Sequence, residues 1–175
     1  WRKVAPLLLS RFTVVCLDLR GDGDSDKPRD GYDKRSMAKD VKETMKLLGF
    51  ERFALVGHDR GGRVSHRLAM DYPDAVKNLT VLDIVPTHTV FRDAGKDLAA
   101  AYWHWFFFQV PDLPEIMLAN SAEPFLRNMF RALCFRQDAI EEPMFAEYLR
   151  AFTLPGTIRA GLEDYRAAAA VDIAD

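Results

Sequence analysis

The chain has 175 residues, a formal net charge of −2, and a composition that is 49% hydrophobic and 29% charged. These values fit one soluble globular domain and exclude a disordered or strongly basic protein. Because Lys and Arg are scattered among acidic residues and no apolar run could span a bilayer, neither nucleic acid nor a membrane is an expected partner.

The first elements are a helix end and a strand. Residues 1–9 resemble the tail of a helix that is broken near Pro6, and residues 12–18 are β-branched and apolar, which predicts a buried parallel strand. Cys16 and Cys134 both fall in apolar patterns, so we expect two reduced core cysteines rather than a disulfide. Reduced cysteines favour a cytoplasmic location.

A long loop and a helix follow. Residues 19–28 are rich in Gly, Asp and Pro, which is typical of turns. The acids of this loop also suggest calcium binding, but the spacing lacks the terminal glutamate of an EF-hand and no helix precedes the loop. We therefore expect no metal and no cofactor. Ser36 is predicted to cap a helix with one apolar face, which Gly49 ends.

The most informative stretch is a second strand, residues 53–57, that runs into Gly-His-Asp-Arg-Gly-Gly-Arg at residues 57–63. An amphipathic helix follows and ends near Tyr72. Strand, sharp turn and helix form the pattern of a nucleophile elbow, and Asp59 holds the nucleophile position. A carboxylate there can displace a leaving group from carbon or open an epoxide, giving an ester that water cleaves. The alternative is an ordinary turn in which Asp59 caps the helix.

Residues 79–84 predict a third strand, which gives the order β, α, β, α, β. Such strands pair in parallel, and ligands bind beyond their carboxyl ends. Asp59 and Asp83 each follow a strand and are separated by 83 − 59 = 24 residues, so we expect both in one crevice. This suits a nucleophile and an orienting acid, although Asp83 could also be a helix cap or a loop acid before Pro86.

From residue 87 onward the pattern is helical and is interrupted by prolines. We predict a core domain at 1–86 and a helical cap at 87–175, with Ser121 and Asp138 as helix N-caps. The aromatic run at residues 102–108 would suit the ceiling of a pocket. Alternatively it packs the cap on its base, with His104 as a core histidine.

Three motifs, at residues 18–21, 57–63 and 102–107, together resemble the fluoroacetate dehalogenases of the α/β-hydrolase superfamily. The resemblance covers nearly the whole chain. It implies the α/β class, with a partial, three-stranded parallel sheet of the α/β-hydrolase type and a helical cap. Epoxide hydrolases and haloalkane dehalogenases of this superfamily typically carry Trp after the nucleophile, where this chain has Arg60.

The resemblance also implies roles for individual residues. It makes Asp59 the nucleophile, Asp83 the acid of the triad, Arg60 and Arg63 the clamp for a substrate carboxylate, and His104, Trp105 and Tyr165 the halide site. It further implies a small halo acid as substrate and a homodimer. Cations at a helix N-terminus oppose the helix dipole, so a bound anion independently explains the two arginines.

One part of the family pattern has no counterpart in this sequence. The base of the family is a histidine after the last strand, and none of the four histidines, His58, His66, His88 and His104, fits that place. The chain starts without Met, and we expect it to be the middle of a longer enzyme whose oxyanion segment and base lie outside it.

Three hypotheses follow. The first is a haloacetate dehalogenase that forms glycolate and halide through an aspartyl ester. The second is an epoxide hydrolase or haloalkane dehalogenase of the same superfamily. The third is a non-catalytic module that retains the binding pocket.

Overall fold

The computed structural model describes residues 1–136 and 138–175. Two strands, eleven α-helices and one short 3₁₀ helix occur in these ranges. In chain order the elements are α1 (Ala5–Leu8), α2 (Lys34–Leu47), β1 (Phe53–His58), α3 (Arg60–Asp71), a 3₁₀ turn (Pro73–Ala75), β2 (Val76–Leu82), α4 (Thr87–Arg92), α5 (Lys96–Ala101), α6 (Trp103–Phe107), α7 (Leu113–Asn120), α8 (Ala122–Leu133), α9 (Glu142–Phe152), α10 (Thr157–Ala169) and α11 (Val171–Ala174).

The sheet consists of β1 and β2, which are parallel and connected through α3. Their register pairs Gly57 with Val81 and His58 with Leu82. The strand predicted at 79–84 therefore begins earlier and ends earlier, at Val76–Leu82. Because parallel strands end at the same edge, the residues after His58 and after Leu82 emerge side by side.

The strand predicted at residues 12–18 is wrong for this structure, in which the sheet of the described residues has two strands instead of three. A strand needs a neighbour with which to form its hydrogen-bond ladder, and within the described ranges this segment forms none with β1 or β2. Its apolar pattern serves packing instead, since Val15 lies against the core. Cys16 is exposed, which contradicts its prediction as a core residue.

Helix α2 begins earlier than predicted. Asp33, rather than Ser36, is its N-cap, because the Asp33 carboxylate accepts hydrogen bonds from the Ser36 backbone N–H and hydroxyl, both at 2.8 Å. This is the geometry of a capping side chain that satisfies a free N–H of the first turn. Gly49 follows the helix with φ of 84°, as expected of a C-terminal glycine.

The main core lies between α2, α3 and β1. Its most buried large side chains are Leu68 and Val64 of α3, which are 0% and 1% exposed. The buried members of this cluster are Met37, Ala38, Met45, Phe53, Val64, Leu68 and Ala75. Burial of one face of α3 fixes the start of this helix relative to the sheet.

Every element described after residue 86 is a helix. A second core forms there around Phe108, Leu118 and Leu162. Ser121 occupies the N-cap position of α8, but the N-cap of α9 is Glu141, so the prediction for Asp138 is wrong. Within the described ranges, no helix is both long and apolar enough to cross a bilayer.

Candidate active site

The turn between β1 and α3 is strained at Asp59. Its backbone has φ of 48° and ψ of −119°, a conformation that is costly for residues other than glycine. The Asp59 N–H donates to the carbonyl oxygen of Leu82 at 3.3 Å, and the Asp59 carbonyl accepts from the Gly62 N–H at 3.0 Å. The carboxylate makes no capping hydrogen bond, although Asp59 occupies the N-cap position. The strained backbone thus presents a side chain that is free for other chemistry.

Asp83 follows β2 at the position beside Asp59. Leu82 pairs with His58, so the two aspartates are the next residues along adjacent strands. Asp83 also has φ of 48°. Both side chains emerge at the carboxyl edge of the sheet, which is where the sequence places a nucleophile and an orienting acid.

Protein groups hold Arg60 and Arg63 in the first turn of α3, and each guanidinium keeps a buried nitrogen that these groups do not contact. Arg60 donates through Nε to the Asp164 carboxylate and through Nη2 to the Asp164 carbonyl, the latter at 2.9 Å. Arg63 donates through Nη1 to the Val85 carbonyl at 2.6 Å and to the Thr87 hydroxyl at 3.0 Å. Arg60 Nη1 and Arg63 Nε are buried and have no hydrogen-bond partner in the protein.

Two unpartnered N–H groups of buried cations are costly unless a ligand satisfies them. Arg60 is fixed on Nε and Nη2 and Arg63 on Nη1, so the remaining nitrogens are available to an anion. A planar carboxylate suits this arrangement.

The predicted halide residues surround these arginines. The Trp105 ring lies 4.6 Å from the Arg63 guanidinium carbon and 5.4 Å from that of Arg60, and the Tyr165 ring lies 4.3 Å from Arg60. His104 packs edge-to-face on Tyr165 with ring centroids 5.9 Å apart, and Trp105 does so at 5.7 Å. The structure therefore brings His104, Trp105, Tyr165 and both arginines into one cluster.

Burial sets the protonation of this cluster. It lowers the pKa of His104, and Arg60 lowers it further, against an opposing effect of Asp59. Burial raises the pKa of Tyr165 to about 12, so the phenol keeps its proton at neutral pH. Burial and the nearby charge of Arg60 lower the pKa of Arg63, but arginine remains charged at every pH at which proteins are folded. At neutral pH the cluster offers neutral donors beside two cations.

The sequence matches the model of a protein family described as the alpha/beta hydrolase fold over residues 1–167. The chain belongs to the α/β-hydrolase family. The strained elbow at Asp59 and the parallel β1–α3–β2 unit are the local structure that carries the candidate site of this family member.

Two curated relatives of this α/β-hydrolase differ in their named activities. A fluoroacetate dehalogenase of Burkholderia sp is 44% identical over 98% of the chain, and a soluble epoxide hydrolase of Corynebacterium sp. (strain C12) is 37% identical over 94%. The chain spans 59% of the length of each.

Two solved structures share its fold. ALR0039 from Nostoc sp PCC 7120 has a TM-score of 0.97 and 48% identity, covering 99% of this chain and 62% of its own. Cfl2 from Burkholderia cenocepacia has a TM-score of 0.91 and 36% identity, covering 98% and 60%.

Several residues of the site were not found from the sequence of this α/β-hydrolase. Asp164 binds both Arg60 and Lys34, and the Val85 carbonyl and Thr87 hydroxyl bind Arg63. The position of Asp164 next to Tyr165 is the one signal in the sequence that could have identified it.

The elbow of this α/β-hydrolase depends on a glycine that allows strand and helix to touch. A Cβ at Gly57 would lie 2.5 Å from the carbonyl oxygen of Gly61 and 2.6 Å from Oγ of Ser65. Because the first of these contacts is with backbone, we expect Gly57→Ala to lower the free energy of unfolding by about 3 kcal/mol. Urea unfolding followed by circular dichroism measures this change.

Gly61→Ala is the matched control, since a Cβ at Gly61 meets nothing within 4 Å. Alanine is favoured over glycine in a helix by about 1 kcal/mol, so this variant should be as stable as the wild type or slightly more stable. Equal stability of the two variants would show that the close approach at Gly57 is not required.

Proposed function

We propose that this chain carries the nucleophile and the substrate-binding residues of a hydrolytic dehalogenase that converts a haloacetate, such as fluoroacetate, to glycolate and halide. The observation that carries the proposal is the pair of buried, unpartnered nitrogens on Arg60, which directly follows Asp59, and on Arg63, which lies one helical turn beyond it. The name of the Burkholderia relative, a fluoroacetate dehalogenase, supports the same substrate class.

In this proposal the two arginines hold the substrate carboxylate and thereby aim its halogen-bearing carbon. Charge-assisted hydrogen bonds to fixed guanidinium groups define both the position and the plane of a carboxylate. Such orientation contributes strongly to a displacement reaction, because attack requires an aligned carbon about 3 Å from the nucleophile.

An Asp59 carboxylate oxygen then attacks this carbon. A carbon–oxygen bond forms as the carbon–halogen bond breaks, and the halide departs with the bonding electron pair. The imidazole of His104, the indole N–H of Trp105 and the phenol of Tyr165 are donors for the negative charge that develops on the halogen. Fluoride is a poor leaving group, so these donors matter most for fluoroacetate.

The product of this step is an ester between glycolate and Asp59. Water attacks the ester carbonyl, releasing glycolate and restoring the Asp59 carboxylate. Asp83 lies at the adjacent strand end, where it would orient the base that deprotonates the water. No residue of this chain is assigned as that base.

In this scheme two segments of the chain contribute residues to the site. Residues 1–86 supply Asp59, Asp83 and the arginines, and the helical cap of residues 87–175 supplies His104, Trp105 and Tyr165. Closing the site between these parts would exclude water from the displacement step.

Comparing charged and neutral substrates on the full-length protein tests this function. We expect halide release from fluoroacetate and chloroacetate to be much faster than from 1-chlorobutane, and faster than hydrolysis of styrene oxide. The Corynebacterium relative is named as an epoxide hydrolase, which makes the epoxide the informative competitor. Faster turnover of the neutral substrates would overturn the haloacetate assignment.

The halide site makes a separate prediction. Tyr165→Phe removes one donor and keeps the ring that packs on Phe108 at 5.0 Å. Loss of one donor to developing charge typically lowers kcat by about 10²–10³-fold. We expect a loss of this size with fluoroacetate and a smaller one with bromoacetate, because bromide leaves readily; a halide-selective electrode and ion chromatography measure the two rates.

Tyr148→Phe in α9 is the control, since Tyr148 is 42% exposed and packs on Phe130. It should leave both rates unchanged. If Tyr165→Phe lowers kcat equally for fluoroacetate and bromoacetate, a role of Tyr165 in leaving-group stabilisation is contradicted.

A further inference from the structure

A buried row of alternating charges begins at the Arg60 guanidinium. It consists of Arg60, Asp164, Lys34 and Asp172, whose side chains are 15%, 11%, 5% and 5% exposed. Lys34 Nζ contacts Asp164 Oδ1 and lies 3.3 Å from Asp172 Oδ2. The Lys34 backbone N–H also donates to Asp172 Oδ1 at 2.8 Å. The row joins α3, α10, α2 and α11.

Asp164 controls the orientation of the guanidinium through two separate contacts. Its carboxylate accepts from Arg60 Nε, and its carbonyl oxygen accepts from Arg60 Nη2 at 2.9 Å. A planar group that is fixed on two nitrogens cannot rotate, so the third nitrogen, Nη1, has one position. This is the nitrogen that is buried without a partner.

The two carboxylate oxygens of Asp164 have different partners. Oδ1 accepts from Lys34 and Oδ2 from Arg60. Lys34 therefore fixes Asp164 from the side opposite Arg60. An amide in place of this carboxylate has one oxygen and one NH₂ group, so it could accept from only one of the two cations and would direct donors at the other.

The charge of Asp164 and its geometry have opposite effects on a bound anion. Its negative charge offsets that of Arg60 and weakens the attraction of the site for a carboxylate. Its hydrogen bonds fix Arg60 Nη1 and so favour carboxylate binding in one orientation. Removing Asp164 would raise affinity if attraction dominated and lower it if orientation dominated.

We propose that Asp164, held in place by Lys34, is a positioning residue that fixes Arg60 for binding the substrate carboxylate, and that this orientation outweighs the charge that Asp164 cancels. The proposal rests on the proposed function, since it concerns the same arginine clamp. Asp164 touches no substrate in this scheme and acts through Arg60 alone.

The test compares chloroacetate with its neutral isostere chloroacetamide in the full-length protein. We expect Asp164→Asn to raise the KM for chloroacetate at least tenfold and to leave the KM for chloroacetamide within about twofold of the wild type. A general loss of structure would change both. An unchanged or lower KM for chloroacetate would overturn the proposal.

A second substitution provides a rescue. Adding Lys34→Met to Asp164→Asn removes the competing cation, which frees the amide oxygen for Arg60. We expect the double variant to recover at least part of the chloroacetate KM that the single variant loses. If the KM for chloroacetate is higher in the double variant than in Asp164→Asn alone, the positioning role is contradicted.

Asp164→Glu keeps the test usable if the amide variant does not fold. Glutamate retains the charge and both oxygens but displaces the carboxylate by one methylene, so we expect a threefold or larger rise in the ratio of chloroacetate KM to chloroacetamide KM. An unchanged ratio would refute the proposal. Failure of the proposed function is distinct, because the wild type itself would then not hydrolyse chloroacetate.

Discussion

Asp59→Asn is expected to abolish halide release from fluoroacetate and chloroacetate, with a loss in kcat of at least about 10⁴-fold. The amide oxygen is a far weaker nucleophile than the carboxylate, and the residues after Asp59 at the elbow, Arg60, Gly61 and Gly62, offer no nucleophile in its place. Asparagine tolerates positive φ better than most residues, so the strained turn with φ of 48° should still form. The fold is checked by circular dichroism and the rates by halide release.

Isotope labelling separates nucleophilic attack from activation of water. In a single turnover in H₂¹⁸O with enzyme in excess, an aspartyl-ester route transfers an unlabelled oxygen from Asp59 to glycolate and leaves ¹⁸O in the protein. Mass spectrometry of the peptide that contains Asp59 should therefore show the label. Direct incorporation of ¹⁸O into glycolate in the first turnover would contradict the ester. For the Asp59→Asn variant, the same spectra reveal any hydrolysis of the introduced amide back to a carboxylate.

The elbow could be predicted because its determinants are local. An apolar strand, a glycine without room for a Cβ, and an amphipathic helix are adjacent in sequence, and together they fix the backbone at Asp59. The neighbouring position of Asp83 followed from one helix and one strand of ordinary length between the two aspartates. The structure places both residues at the same edge of the sheet.

The strand predicted at residues 12–18 shows what local pattern cannot determine. An apolar, β-branched run indicates which side chains tend to be buried, but a strand also needs a neighbouring backbone with which to pair. Val15 is packed against the core, yet in the described part of the chain the segment has no hydrogen-bonded partner strand. Burial and pairing are separate requirements, and the sequence pattern reports only the first.

The side chains that hold Arg60 in place could not be predicted from the sequence for the same reason. Lys34 and Asp164 are separated by 130 residues, and apart from the place of Asp164 beside Tyr165 the sequence does not single out either residue. Their contact depends on how α10 packs on α2, which local periodicity does not specify. Sequence reasoning could identify Arg60 and Arg63 from their poor placement near a helix N-terminus, but it could not identify what holds them.

Arg60→Leu and Arg63→Leu are each expected to lower kcat/KM for chloroacetate by about 30-fold to several thousand-fold. This corresponds to the loss of about 2–5 kcal/mol that accompanies truncation of one partner in a buried charge pair. Arg63→Leu should also destabilise the fold, because it leaves the Val85 carbonyl and the Thr87 hydroxyl without their donor. Arg60→Leu leaves Asp164 paired with Lys34, so its effect should fall mainly on the substrate.

Chloroacetamide distinguishes loss of the clamp from general damage. It keeps the reacting carbon and the leaving group but has no carboxylate for the arginines to hold, so Arg60→Leu should hydrolyse it as well as the wild type does. Arg67→Leu is the matched control on the same helix, because Arg67 pairs with Asp71 at the other end of α3. Equal losses in Arg60→Leu for chloroacetate and chloroacetamide would show that Arg60 maintains the structure of the site and does not bind the carboxylate.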